Sequence, residues 1–337
     1  MRTGHAEDQA LGQAERQSHR SGFLARFRRS SVFGIIIILV FMAAVLSVST
    51  SEFLTSDNLL SVFRQFSFIG IMAIGQVMVI VTGGIDLSVG SVFAFAGVTS
   101  AFAMAKLGLG VPVGLLVGVV SGLAFGLMNG LFITRLRLPP FIATLGTLSI
   151  ARGLSYALTG GFPIPDLPPV FKFIGQGYIG IIPFPVILLV LLGAIFTFFL
   201  NRTVLGRRIY ATGSNEEAAR VSGVNTKRIK LVVYSLSGIL AGVAGMATAA
   251  RLGVAQSTAG AGYELDCIAA VIIGGASVTG GVGTVFGAIL GAAIMGVLKN
   301  GLILLSVSAY WQQTVIGAVI IVAVTFDLLR QRSRQSR

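Results

Sequence analysis

The chain has 337 residues, 54% of them hydrophobic and only 11% charged, with a mean hydropathy of +0.89. An ordinary soluble domain carries about a quarter charged residues, so this composition excludes one. The net charge of +13 does not point to nucleic acid, because its placement is that of a polytopic membrane protein, in which positive charge collects on cytoplasmic loops.

In chain order, residues 1–31 are polar and basic, with few apolar anchors, and read as a disordered cytoplasmic arm or one lying on the inner leaflet. The apolar run that follows resembles a signal peptide, but the polar lead is too long, so an uncleaved first helix is expected. Runs free of Asp, Glu, Lys and Arg cover 65–85, 87–105, 107–134, 173–201, 231–250, 267–298 and 300–326. Roughly 20 apolar residues cross a bilayer as a helix. Divided at Gly, Pro and charges, the chain yields ten candidate spans near 32–50, 60–82, 87–106, 111–134, 139–159, 181–200, 231–250, 264–279, 282–305 and 310–329. The predicted fold is therefore an all-α polytopic bundle with broken helices near its centre. With ten spans, nineteen of the twenty-five Lys and Arg residues fall on one side, which predicts that both termini and a basic tail at 331–337 are cytoplasmic.

Several segments carry more specific signals. Glycines 114, 118, 122, 126 and 130 share one helix face and predict close helix packing. Thr82-Gly-Gly-Ile-Asp-Leu-Ser-Val-Gly-Ser-Val-Phe93 and Ile273-Gly-Gly-Ala-Ser-Val-Thr-Gly-Gly-Val-Gly-Thr-Val-Phe286 interrupt helices at comparable points. Val89-Gly-Ser-Val-Phe echoes Val282-Gly-Thr-Val-Phe, a pattern expected of internal repeats around a central path. Asp86 suits a cap for the helix after the first break or, alternatively, a solute contact. Prolines 163, 165, 168 and 169 predict an extended external loop over 160–180. Ser214-Asn-Glu-Glu-Ala-Ala-Arg-Val-Ser-Gly223 reads as a short cytoplasmic helix, with Ser214 and Glu217 forming a capping box and Gly223 ending it. Lodged between two long apolar segments, it suits a lever pushed from outside the membrane. Glu264 and Asp266 are expected to open a span at the external side. Lys299 is expected to reach the outer interface, and Arg152 either to pair with an acidic residue or to snorkel.

Some chemistry is missing. No Gly-x-x-x-x-Gly-Lys-Ser/Thr phosphate loop occurs, so a motor, if one is used, is another polypeptide. His5 and His19 both lie in the N-terminal arm, and Cys267 is the only cysteine, so neither a metal set nor a disulfide is expected. No catalytic constellation is found. The scarcity of charge along the spans suits a neutral, hydroxyl-rich solute. Gln76, Asn129, Thr144, Thr147 and Asn300 are uncharged groups able to bond to such a solute or to neighbouring helices.

From about residue 32 to 330 the chain resembles the permease subunit of ribose-type ABC sugar importers. The resemblance rests on Gly83-Gly-Ile-Asp-Leu-Ser-Val-Gly-Ser91, Asn129-Gly-Leu, Pro140-Phe-Ile-Ala-Thr-Leu-Gly-Thr147, Gly206-Arg-Arg-Ile-Tyr-Ala-Thr-Gly-Ser-Asn-Glu-Glu-Ala-Ala-Arg220 and Ala269-Ala-Val-Ile-Ile-Gly-Gly-Ala-Ser277. It implies two permease copies in a bacterial inner membrane, working by alternating access. Their implied partners are a cytoplasmic ATP-binding subunit, which uses the ATP, and a periplasmic or lipid-anchored sugar-binding protein, with membrane lipid around them. No cofactor of its own and no enzymatic activity are implied. Through the resemblance, Ser214, Glu216, Glu217, Ala218, Ala219 and Gly223 look like the coupling helix that docks on the ATPase. Asp86, Ser88, Asn129, Phe141 and Thr144 are the translocation-path candidates. The Ile-x-Leu-Pro ending of the fuller coupling pattern is replaced by Val233-Tyr-Ser-Leu, a departure that fits the separate ribose-type architecture. Permeases for branched-chain amino acids or nucleosides, and a stand-alone secondary carrier, are the competing readings.

Overall fold

The computed structural model describes residues 31–335, and the N-terminal arm expected over 1–31 lies almost wholly outside them. The fold is 76% helical, with thirteen helices among the described residues. In chain order they are α1 (Ser31–Ser49), α2 (Ser56–Val81), α3 (Val89–Ala105), α4 (Val111–Thr134), α5 (Pro140–Thr159), α6 (Pro169–Gln176), α7 (Phe184–Arg202), α8 (Val204–Ser214), α9 (Glu216–Val221), α10 (Thr226–Leu252), α11 (Tyr263–Ile273), α12 (Val285–Leu304) and α13 (Ala309–Gln335). A two-residue antiparallel hairpin, β1 (Tyr178–Ile179) and β2 (Ile182–Pro183), joins α6 to α7. Six helices, α2, α4, α5, α7, α10 and α12, are long and apolar enough to cross a membrane. Shorter apolar stretches lie in α1, α3 and α13. The span expected over 264–279 is helical only as the 11 residues of α11, and α13 continues through the start of the basic tail to Gln335.

Helix ends follow local chemistry. Thr203 Oγ1 accepts from the Gly206 N–H at 3.0 Å to start α8, and Thr284 does the same for Gly287 at the start of α12. Prolines occupy the first turn of α4, α5, α6 and α7, where a missing N–H costs nothing. The same preference explains why the loop over 160–180 is not extended throughout. Pro168 and Pro169 start α6, which buries Phe171 completely against the end of α10.

The core is formed by α2, whose residues Ser67 to Val81 are all buried, and by α10. The glycine face of α4 lies against α10. A side chain at Gly122 would overlap the Gly238 carbonyl, and one at Gly126 would overlap the backbone of Tyr234 and Ser235. Backbones approach this closely only where side chains are absent. The two helix breaks, 82–88 and 274–284, meet in space, with the Gly281 N–H donating to the Val81 carbonyl at 2.9 Å. Gly83, Gly275, Gly280 and Gly281 turn at φ of +76°, +87°, +91° and +75°, values that disfavour any side chain. The five-residue echo is not matched in register. Val89 already opens α3, whereas Val282 lies in the loop and α12 begins at Val285.

An ion pair sets α11 on α12. Asp266 is 2% exposed and is bonded by the Lys299 ammonium, itself 14% exposed. Asp266 is therefore not open to external water, and Lys299 is held inside the bundle. Removing one member leaves an uncompensated buried charge, at a cost of about 3–5 kcal/mol. We expect Asp266→Asn or Lys299→Met alone to lower the melting temperature of the purified protein sharply. The double variant should recover most of the loss. Equal melting of all four proteins would remove the pair from the account of stability.

Candidate functional site

The polar segment between α7 and α10 forms an arm of two short helices, α8 and α9, that meet at Asn215. Its first part, α8, ends against both helix breaks. The Tyr210 hydroxyl donates to the Gly283 carbonyl at 2.7 Å. Gly213 lies so close to the Val81 carbonyl and the Gly281 N–H that any side chain there would overlap them. Ser214 does not cap the following helix. It is the last residue of α8, and its hydroxyl donates back to the Tyr210 carbonyl at 2.9 Å. The cap is one residue later. Asn215, extended at φ −160°, accepts from the Ala218 N–H at 2.9 Å through Oδ1. The expected capping box is thus replaced by an Asn cap, and Glu217 bonds Arg220 at 2.6 Å instead of reaching back.

The helix itself is the six residues of α9. Gly223, at φ +82°, ends it as expected. The Val224 N–H bonds the Ala219 carbonyl and the Gly223 N–H bonds the Arg220 carbonyl, each at 3.0 Å, the paired closure of a left-handed C-cap. Ala219 is buried toward the bundle, while Glu216, Glu217, Ala218 and Gly223 face outward. Glu216 accepts from the Lys230 ammonium at 2.6 Å, which pins α9 to the start of α10. Burial works against the charged form of Glu216, but the Lys230 partner outweighs it and holds the carboxyl below its ordinary value. Val221 presents an apolar side chain that is 80% exposed. Sequence reading passed over it because a single valine in a polar loop carries no pattern.

The path candidates divide differently. Asp86, Ser88, Asn129 and Thr144 are all fully or almost fully buried, and the first three join one hydrogen-bond network with Thr147 and Ser237. Asp86 Oδ1 accepts from the Ser88 N–H at 2.9 Å and the Ser88 hydroxyl at 2.6 Å, and its Oδ2 accepts from the Ser237 hydroxyl at 3.2 Å. Asn129 donates to Ser88 Oγ at 2.8 Å and accepts from the Thr147 hydroxyl at 2.6 Å. Tyr234 donates to the Ile85 carbonyl at 3.4 Å, and the Thr144 hydroxyl, bonded mainly to the Pro140 carbonyl at 2.8 Å, lies 3.3 Å from the same Ile85 oxygen. The carboxylate therefore makes a tight turn with Ser88 and does not cap α3, whose first turn has no side-chain cap. The network ties the first break to α4, α5 and α10, and its groups are turned toward one another. Phe141 stands apart, 54% exposed on the outer face of α5.

The other polar candidates are scattered. Asn300 and Asn58 exchange amide bonds of 3.1 and 2.6 Å, and Gln76 is buried with no hydrogen-bond partner among the described residues. Arg152 feels the charge of Glu264 but makes no ion pair within 4 Å among the described residues. Its guanidinium donates to the carbonyls of Ser257 and Ala259, the latter at 2.9 Å, and so holds the 253–262 loop against α5. Among the described residues no His, Cys, Asp and Glu cluster suits a metal.

Comparison with known proteins places the architecture. The family described as branched-chain amino acid transport system, permease component, matches residues 58–324. The ribose import permease protein RbsC of Bacillus subtilis (strain 168) is 45% identical over 86% of this chain and 90% of its own length. RbsC of Escherichia coli (strain K12) is 41% identical over 88% of this chain and 93% of its own. The xylose transport system permease protein XylH of Haemophilus influenzae (strain ATCC 51907 / DSM 11121 / KW20 / Rd) is 33% identical over 88% and 96%. No solved structure matches the chain. With a multi-pass apolar helical bundle and a family match over most of its length, the chain belongs to the permease subunits of ribose-type ABC importers.

Proposed function

We propose that the chain forms half of the translocation path of an ATP-driven importer for a monosaccharide, a pentose or hexose handed over by a sugar-binding protein. The names of the ribose and xylose relatives support this substrate class. In this reading residues 32–330 are one permease unit that crosses the inner membrane ten times. The arms 1–31 and 331–337, together with α8 and α9, lie in the cytoplasm. ATP is hydrolysed by a separate subunit, so the chain is not itself an enzyme and holds no cofactor. Two copies assemble and enclose the path, which runs along the outer face of α5 at Phe141. The network of Asp86, Ser88, Asn129 and Thr147 stiffens the wall behind that face.

One observation carries the mechanism: the α8–α9 arm rests directly on both helix breaks, through Tyr210 on Gly283 and Gly213 on Val81 and Gly281. The ATP-binding subunit grips the outward face of α9, with Val221, Glu217 and Ala218 as its contacts. Movement of α9 passes through α8 to the joined loops 82–88 and 274–284, and the helices that begin there, α3 and α12, tilt to alternate the access of the path. Glycine turns concentrate the bending at the breaks.

The test is reconstitution with the ATP-binding subunit and the sugar-binding protein in liposomes. Uptake of labelled ribose or xylose is expected only with ATP and the binding protein. Gly223→Val, Glu217→Lys and Tyr210→Phe should keep assembly and ATP hydrolysis but lose most uptake. Uptake by the chain alone without ATP would move it to the carriers, and full uptake by all three variants would remove the arm from the mechanism.

The Glu216–Lys230 bond gives a pH signature. Because the folded carboxyl is held below its ordinary value, its stabilisation is complete above that value and is lost as pH falls through the folded one. Glu216→Gln should melt slightly below the parent protein at neutral pH, and the gap should close in acid. The Glu216 side chain is 48% exposed, so the gap is small, within about 1 kcal/mol. A gap that widened in acid would contradict the assignment.

A further inference from the structure

The groove between α7 and α12 takes no part in the mechanism above. Helix α7 is the least buried of the six long apolar helices, with 22% of its most apolar stretch inside the fold. The small residues Gly193 and Ala194 of α7, facing Phe286 and Ile289 of α12, leave a groove of about 580 Å³. Its lining is apolar apart from Thr197 and from one end, where Asn201 and Arg202 close it. Arg202 is exposed and makes no ion pair among the described residues. Beyond it α8 adds Arg207 and Arg208, also exposed, and no Asp or Glu occurs between residues 167 and 215.

An apolar slot with an unneutralised arginine at one rim has the polarity of one kind of molecule. We propose that this groove holds an anionic phospholipid, with an acyl chain between α7 and α12 and the phosphate on Arg202 and the Asn201 amide. On the orientation proposed above, the lipid belongs to the inner leaflet. Basic sites between membrane helices on the cytoplasmic side are suited to such headgroups, and a guanidinium matches phosphate geometry with two parallel donors. The site lies at a mechanical joint. Arg202 is the last residue of α7 and the next residue, Thr203, caps α8, so the bound lipid anchors the root of the arm that rests on the breaks.

The probe is a tryptophan placed in the groove of the full chain. Trp311 is the only native tryptophan, so Trp311→Phe with Phe198→Trp puts the sole indole at an exposed lining position. The protein is reconstituted in phosphatidylcholine vesicles containing either brominated phosphatidylglycerol or brominated phosphatidylcholine, and quenching is compared at equal mole fraction. One arginine at a membrane surface contributes about 1 kcal/mol, so the anionic lipid should bind about fivefold more strongly. Arg202→Gln, at an exposed rim position, should abolish the preference, as should high salt, which screens it. Ala194→Phe, which fills the groove, should weaken quenching by the anionic lipid. Equal quenching by both headgroups in the Arg202 protein would reduce the groove to bulk lipid contact and overturn the proposal. So would an indole quenched by neither lipid because a second copy of the chain covers it. Both readouts are independent of uptake, so failure here leaves the importer reading intact, and failure of that reading leaves the lipid site standing.

Discussion

In the hydrocarbon of a bilayer an unpaired N–H or C=O finds no water, and a chain that interrupts its helices must satisfy the freed groups from within. Here the two interruptions are satisfied mainly within themselves and by the helix turns that precede them, with one bond between the breaks and a few from polar side chains. Gly281 donates to Val81 across the two breaks, and Ser277 donates to the Val282 carbonyl at 3.0 Å within the second. Tyr234 bonds Ile85, while Tyr210 reaches Gly283 from the polar segment. The buried Asp86 carboxylate gathers Ser88 and Ser237. Asp86, Ser88, Asn129 and Thr147 meet this requirement by bonding one another, whereas Gln76 is buried with no hydrogen-bond partner among the described residues.

The same constraint explains how glycine is used. Side-chain-free faces let α4 and α10 approach until their backbones touch, and dispersion between close-packed backbones replaces the hydrophobic drive that lipid does not provide. At the breaks, glycine serves differently, supplying the positive φ angles on which the loops turn. At Gly213, which lies within α8, only the packing demand applies. The arm can touch the breaks only because that position has no side chain. A packing rule and a mechanical contact are therefore met by the same residue.

Much of the helix layout was legible in hydropathy, because runs without charges are long and their ends carry Pro, Gly or a hydroxyl cap. The misreadings share a cause: local signals competed and distant groups decided. Ser214 and Asn215 are both competent caps, and Ser214 was claimed by α8, leaving Asn215 to start α9. Pro168 and Pro169 read as extended, but proline in a first turn costs no hydrogen bond and α6 gains the burial of Phe171 against the end of α10. The span expected over 264–279 ends at Ile273 because Gly274 and Gly275 let the chain leave the helix. Asp86 looked like a cap for the helix after it, yet its second oxygen is taken by Ser237, 151 residues away.

Sequence alone determined the membrane class, the helix runs, the short polar arm and the glycine faces, since each depends on composition or on spacing within one helix. Only the tertiary structure decided that the two breaks are bonded to one another, that α8 lies against both, that Lys299 neutralises Asp266 inside the bundle, and that Phe141 stands apart from the buried polar network. These relations join residues far apart in the chain, and nothing in local propensity encodes which distant carbonyl or carboxylate will be within 3 Å of a given donor.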